Sequence, residues 1–300
     1  MKLRLGTRSS ALARAQADGV AAALRRAGHE VEVAARRVAG DRGGGPADKS
    51  RWVSELDEAL RAGEIDLAVH SAKDVPGDLA AGVRIAAVPV REDARDVLCG
   101  ASSLAMLPTA ARVGTASLRR AAALRAARQD LEPVAVSGNV DTRLARLAEG
   151  AYDALVLARA GLRRLGREEA EGTALDPDVM LPGPGQGALA LCAREGDAQV
   201  ASVLTALDDP RSHRALRAER AVGVALGASC RTPIGVLAED AAGDFLRVRA
   251  FVGRPDGAVW LRDELTGPAD APEALGEAVA ARLRVAGAQE LLAELEREAA

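Results

Sequence analysis

Aromatic side chains are nearly absent: two Phe, two Trp and one Tyr in 300 residues. A core built without them must be aliphatic, mostly Ala, Val and Leu. Lysine is almost as scarce. Of 40 basic residues only Lys2, Lys49 and Lys73 are lysines, and the other 37 are arginines. An ammonium does not replace a planar guanidinium fork, so a lysine kept against such a drift marks a position to follow. There are three cysteines, Cys99, Cys192 and Cys230. Their odd number and wide spacing exclude a disulfide framework or a zinc site. No apolar run is long enough to span a membrane. The start, "MKLRLGTRSSALARAQ", lacks the apolar segment and small-residue cleavage site of a secretory signal. The net charge of −3 gives no global attraction to nucleic acid or an anionic membrane. The expectation is a cytoplasmic protein with reduced thiols and neither nucleic acid nor membrane as partner.

What is present is ordinary for a soluble globular chain: 48 % hydrophobic and 28 % charged residues, with length for two or three domains. "KLRLG" predicts a strand and 9–27 a helix that closes at Gly28; "EVEVAARRV" alternates like a strand. A Gly-rich loop at 41–50 precedes a helix at 52–62, and "IDLAV" and "VRIAAVPV" predict strands. A second block repeats the alternation: "DVLCG", "ARVGT", a helix at 117–128, "LEPVAV", a helix at 139–149, "YDALVLA" and a short helix at 160–166. Such units imply mainly parallel α/β sheets. "LPGPGQGALAL" (181–191) predicts a crossing, a hinge, or backbone lying close to a ligand. Helical patterns from 197 to about 226, strands at 234–239, 245–253 and 258–265, and a final helix at 271–298 suit a small α+β domain.

Ligands of open α/β sheets bind beyond the carboxyl ends of strands. There the chain places "GTRSS", "HSAKD", "GTASLRR" and "SGNVDTR". Each offers small hydroxylated residues, and three of them offer arginines at a helix start. Helix N-termini and arginine forks bind anions. Taken singly, the Ser and Thr residues read as helix caps and Arg119–Arg120 as a solvated helix face. Taken together, the four loops predict a site for a polyanionic ligand between two domains. In "DLAVHSAKDVP" (66–76) the strand ends in His70, Ser71, Lys73 and Asp74. A carboxylate among cations stays ionised and can stabilise a developing cation or move a proton. His70 is expected to be a structural hydrogen-bonder. Cys230 sits in an accessible turn beside Arg231, whereas Cys99 and Cys192 are expected to be buried.

The ensemble resembles the porphobilinogen deaminase family, also called hydroxymethylbilane synthases. The resemblance runs nearly the whole chain in order: "GTRSSALARAQ", "DLAVHSAKDVP", "REDARDVL", "VGTASLRR", "GNVDTR", "DALVLARAGLRRLG", "LPGPGQGALAL", "AERA" and "GASCRTPIG". It implies two α/β domains arranged like a periplasmic binding protein around a cleft, plus a smaller α+β domain. The implied divisions are 1–90 with 187–206, 91–186, and 207–300. It implies a dipyrromethane cofactor held by a thioether at Cys230, and Asp74 as the catalytic carboxylate beside the pyrrole nitrogens. Lys73, Ser71, Lys49, Arg119, Arg120, Thr115, Ser117 and Arg143 are the implied cofactor contacts. Arg8, Ser10, Arg164 and Gln186 are the implied substrate contacts. The implied reaction joins four porphobilinogen molecules head to tail with loss of ammonia, as a step of tetrapyrrole and heme biosynthesis. The linear product would pass to uroporphyrinogen III synthase, and a monomer is expected.

Some positions depart from the family pattern. Gly45 stands where a lysine is usual and Trp52 where Phe is usual. Ser137 stands where Arg is usual, and Asp141 adds a negative charge nearby. A lost charged hydrogen bond costs roughly 1.5–3 kcal/mol. Two classes therefore stay open: a working deaminase, or a repurposed or non-catalytic member that binds a carboxylated small molecule in the cleft. Cys230 and Asp74 together favour the enzyme.

Overall fold

The computed structural model describes residues 1–38, 53–228 and 232–298, so Lys49 and Cys230 lie outside the described residues. Strand β1 (Lys2–Arg8) leads into α1 (Ala11–Arg26), capped by Ser10, whose hydroxyl accepts from the Ala13 amide. The helix buries Ala13, Ala17, Val20, Ala21 and Leu24, the three- and four-residue spacing of an amphipathic helix. Then come β2 (Glu30–Arg36), α2 (Ser54–Arg61), β3 (Leu67–Ser71) and β4 (Val83–Ala87). The second block holds β5 (Asp96–Cys99), β6 (Arg112–Gly114), α3 (Leu118–Ala127), β7 (Glu132–Val134) and α4 (Val140–Ala148). It continues with β8 (Ala154–Ala158), α5 (Arg159–Arg164) and β9 (Thr173–Ala174). After β10 (Leu189–Arg194) and α6 (Ala198–Thr205) come α7 (Pro210–Ala225), β11 (Ile234–Ala241), β12 (Phe245–Gly253) and β13 (Trp260–Pro268). Helices α8 (Pro272–Val285) and α9 (Ala288–Glu298) close the chain's described part.

Two five-stranded sheets, β2-β1-β3-β10-β4 and β7-β6-β8-β5-β9, share one layout, and β11-β12-β13 form a smaller antiparallel sheet. In each large sheet three neighbouring strands are parallel, while β10 or β5 runs antiparallel to both its neighbours. Four of the five strands in each large sheet thus run the same way, as a mainly parallel sheet requires, and the one reversed strand makes each sheet mixed. The reason is the route of the chain: β5 and β10 are the first strands after it crosses from one sheet to the other. A strand that arrives this way has no helical crossover from its neighbour to make it parallel.

The proline- and glycine-rich run ends at Ala188, and the residues after it form β10 inside the first sheet. The helical stretch from 197 breaks at Asp208–Asp209, where Asp209 caps α7 and Pro210 occupies its first turn. The final helix breaks at Gly287, which takes a φ of +99°. The core is aliphatic, as the composition demands, and covers both faces of each large sheet. Helix α7 faces two cores. Ala215, Ala218 and Val222 pack with the smaller sheet and α8, and Leu216 packs with the first sheet. Among the described residues no helix is long and apolar enough to cross a membrane.

Candidate active site

The carboxyl end of β3 carries the reactive-looking turn. Ser71 ends the strand, Ala72–Asp74 form one 3₁₀ turn, and Val75 leaves in extended conformation. The Ser71 hydroxyl and the Gln16 amide of α1 exchange hydrogen bonds at 2.8 and 3.2 Å. Asp74 lies 3.8 Å from the Arg8 guanidinium at the end of β1. Arg8, Ser10, Gln16, His70, Ser71 and Asp74 line one small pocket. Lys73 lies close enough to Asp96, Arg119 and Arg120 to feel their charges. Burial lowers its pKa, Asp74 and Asp96 oppose that, and Arg120 and Arg119 reinforce it. Its ammonium has no hydrogen-bond partner among the described residues.

On the other side Ser117 caps α3 and brings Arg119 and Arg120 to its first turn. Both guanidiniums are buried and both bind Asp96, which is fully buried at the start of β5. Arg119 donates to Asp96 Oδ2 at 2.8 Å and to the Leu181 carbonyl at 2.6 Å. Arg120 donates to Asp96 Oδ1 at 2.8 and 3.1 Å and to the Val156 carbonyl at 3.0 Å. Burial alone would raise the Asp96 pKa, yet the two arginines bring it down to about 2. Two guanidiniums on one carboxylate leave a surplus positive charge facing Lys73. Arg119 and Arg120 are therefore not a solvated helix face. Thr115 accepts from the Ser117 amide at 3.1 Å. Arg143 donates to the Gly138 carbonyl at 2.9 Å, and burial followed by Arg120 lowers its pKa.

The two crossings lie side by side beneath this cluster. Glu92 N donates to the Gly187 carbonyl, Arg91 Nε to the Gln186 carbonyl, and Gln186 Nε2 to the Ala94 carbonyl and Asp96. A Cβ on Gly185, at φ +74°, would lie 3.0 Å from Ala72 C and Lys73 N; on Gly187 it would lie 2.3 Å from Glu92 O. Only glycine lets the hinge pass this close to the Lys73 turn. Buried Glu219 of α7 ties the crossings to the smaller sheet. It binds Arg91 at 2.6 and 3.1 Å and accepts from the amides of Gly185 and Ala238.

Of the residues singled out from sequence, the fold brings Arg8, Ser10, Ser71, Lys73, Asp74, Arg119, Arg120 and Arg143 around one region. Ser10, Thr115 and Ser117 act as acceptors for backbone amides, and each hydroxyl keeps a proton to donate. Gln186 and Arg164 serve the hinge: Gln186 is buried with its amide engaged, and Arg164 donates to the Gly187 carbonyl at 2.6 Å. His70 corrects an expectation, because its buried Nε2 has no hydrogen-bond partner. Burial, then Arg8, lowers its pKa to about 4, so the ring is neutral at neutral pH. The added charge of Asp141 is matched by Arg167 at 2.9 Å, and Arg146 reaches Ser137 at 3.2 Å. Cys99 and Cys192 are buried free thiols, as expected. Sequence reading missed Asp96 and Glu219. The signals were an acidic residue opening the apolar run "DVLC" and another inside the Ala215, Ala218, Val222 stripe.

Comparison with known proteins joins these observations. Residues 3–202 match the family model "Porphobilinogen deaminase, dipyromethane cofactor binding domain", and residues 214–285 match "Porphobilinogen deaminase, C-terminal domain". Similar relatives include the porphobilinogen deaminase of Roseiflexus castenholzii, 46 % identical over 97 % of this chain and 98 % of that one. That of Acidothermus cellulolyticus is 47 % identical over 97 % and 91 %, and that of Thermus thermophilus 44 % over 97 % and 98 %. Among solved structures, a periplasmic substrate-binding protein of an ABC transporter from Coxiella burnetii aligns loosely. Its TM-score is 0.42 and its identity 16 %, over 70 % of this chain and 94 % of that one. On full-length identity to named relatives and on both domain matches, this chain belongs to the porphobilinogen deaminase family.

Proposed function

We propose that this chain condenses four porphobilinogen molecules head to tail, releasing one ammonia at each addition, and that one water then cleaves the linear product free as hydroxymethylbilane. The observation that carries this reading is the juxtaposition of one loosely held carboxylate, Asp74, with a bank of cations contributed by both large sheets. Porphobilinogen bears an acetate and a propionate, and its aminomethyl group leaves as ammonia with a push from the pyrrole nitrogen. The cation left on the ring needs a nearby negative charge and a proton acceptor. Asp74 supplies both: it lowers the energy of the cation and takes up the proton released when the new carbon–carbon bond forms.

The donor set fits a carboxylated dipyrromethane. Among the described residues the Lys73 ammonium has no hydrogen-bond partner, Arg119 and Arg120 share the single carboxylate of Asp96, and Arg143 donates to the Gly138 carbonyl. Those four cations, with the hydroxyls of Ser71, Thr115 and Ser117 and with Lys49, would hold the cofactor, anchored at Cys230. When bound, the dipyrromethane would supply the free pyrrole carbon to which the first ring joins, each later ring joining the one added before it. Arg8 and Ser10 would orient the incoming substrate by its carboxylates, with the nearby hinge residues Arg164 and Gln186 setting the cleft around it. The neutral ring of His70 adds no second positive charge beside the developing cation. The reading extends to a monomeric enzyme whose product passes to uroporphyrinogen III synthase.

Intact mass with peptide mapping around Cys230 tests the proposal. The expected result is added mass equal to two linked porphobilinogen-derived pyrroles on that peptide, and hydroxymethylbilane formed from added porphobilinogen. A mass unchanged after incubation with porphobilinogen and with preformed hydroxymethylbilane would overturn it, and would favour a cleft that binds without turnover.

A further inference from the structure

Asp74 belongs to a short turn that its own sheet holds sparingly. The Ala72 amide donates to the Ala188 carbonyl and the Val75 amide to the Ala72 carbonyl. Beyond Val75 the turn is gripped from outside by α7. Arg220 Nη2 donates to the carbonyls of Pro76 and Gly77, each at 2.8 Å, and Nη1 to that of Val75 at 3.5 Å. Three successive carbonyls thus converge on one guanidinium, a fork that a single ammonium cannot match. One helical turn further on, Val224 fills the place where Gly77 has no side chain. A Cβ there would lie 2.9 Å from Val224 Cγ2. Residues i and i+4 of α7 therefore hold the same turn, one by charge and one by shape.

We propose that Arg220 is a positioning residue for Asp74: from the helix shared with the smaller domain, it fixes the turn that aims the carboxylate into the cleft. The proposal rests on Asp74 being the catalytic carboxylate. Its neighbour Glu219 holds the crossings, so two adjacent residues of α7 divide the work, one on the hinge and one on the reacting turn. A carboxylate that must follow a cation at each of four additions gains from a turn fixed at its far end, because small displacements of a reacting group are costly in rate.

The test uses the full-length holoenzyme, with turnover counted per bound dipyrromethane. Arg220→Met is expected to lower kcat about 10- to 100-fold, with KM within about threefold and cofactor content unchanged. Arg220→Lys is expected to recover part of the loss. Arg217→Met, on the same helix as Arg220 but removing only a surface pair with Glu273 of α8, is expected to keep kcat. A purely structural role would lower the melting temperature and leave kcat per holoenzyme at the wild-type value, and that result overturns the proposal. If Arg220→Met does not fold, Gly77→Val attacks the same contact from the other side by lifting the turn off Val224. The same fall in kcat supports the proposal, and a wild-type kcat overturns it. Asp74→Ala, measured alongside, separates the two failures. An inactive Asp74→Ala with a fully active Arg220→Met removes only the positioning role. An active Asp74→Ala removes the catalytic assignment and the positioning role with it.

Discussion

The two large sheets share a strand layout and end in similar polar loops, yet they use their carboxylates in opposite ways. At the end of the first sheet Asp74 is partly exposed, and its nearest guanidinium stands 3.8 Å away. At the edge of the second, Asp96 is fully buried and receives four hydrogen bonds of 2.8–3.1 Å from Arg119, Arg120 and Gln186. A carboxylate buried and held that firmly by two guanidiniums is not free to change partner during a reaction. One held loosely can change partner as charge develops and disappears. The difference teaches that similar loop composition does not mean similar duty: the first edge is built for chemistry, the second for holding cations in place.

Exchanging the two deletions is the sharpest way to break this contrast. Asp74→Ala is expected to reduce turnover by about 10²–10⁴-fold while folding and cofactor retention persist. Near-normal product formation by this variant would erase the distinction. Asp96→Ala is expected to do the reverse, leaving two buried guanidiniums unpaired and destabilising the protein by about 3–5 kcal/mol in urea unfolding. Its activity should fall only with the folded, cofactor-bearing fraction. Asp96 also carries a pH signature. Its folded pKa of about 2 lies below the unfolded value, so its contribution is present above about pH 4 and is lost as pH falls through about 2. Acid unfolding of Asp96→Asn should therefore be less steep over that window than that of the parent.

This contrast was only half legible in the sequence. The Asp74 turn could be read because its signal is local: an apolar strand, then His, Ser, Lys and Asp, then Pro76. The Asp96 cluster could not, because its partners lie 23, 24 and 90 residues away and meet only when the chain crosses between sheets. The antiparallel settings of β5 and β10 were hidden for the same reason, since strand direction depends on where the preceding segment began. The glycines of 181–187 could be read as a crossing, because only a close backbone approach needs three of them. The state of His70 was misjudged: the residue type suggests a hydrogen bond, and burial beside Arg8 denies one to its Nε2.

His70 offers a medium-sized test of how dry the first edge is. Its folded pKa of about 4 lies below the unfolded 6.5, so the unfolded chain binds the extra proton between those values. Stability is then full above pH 6.5 and is lost as pH falls toward 4. From pH 6.5 to 5 the loss from this group should be roughly 2 kcal/mol. Urea unfolding of the parent and of His70→Gln across that range should show it. Equal slopes would mean that the ring is hydrated, and that the first edge is as open at its base as at its tip.

The smallest effect is expected where the second edge is exposed. Asp141 and Arg167 form a pair with both side chains about half exposed, at 46 % each. Such a pair contributes about 0–1 kcal/mol. Because Arg167 already answers the added negative charge, Asp141→Ala should change KM for porphobilinogen by less than about threefold, and less again at high salt. Arg167→Ala should raise KM more than Asp141→Ala changes it, since it leaves the carboxylate uncompensated near a site for anions. A large fall in KM for Asp141→Ala would mean that its charge reaches the substrate unshielded. The second edge would then be more than a passive holder of cations, with one of its carboxylates opposing the ligand that its arginines attract.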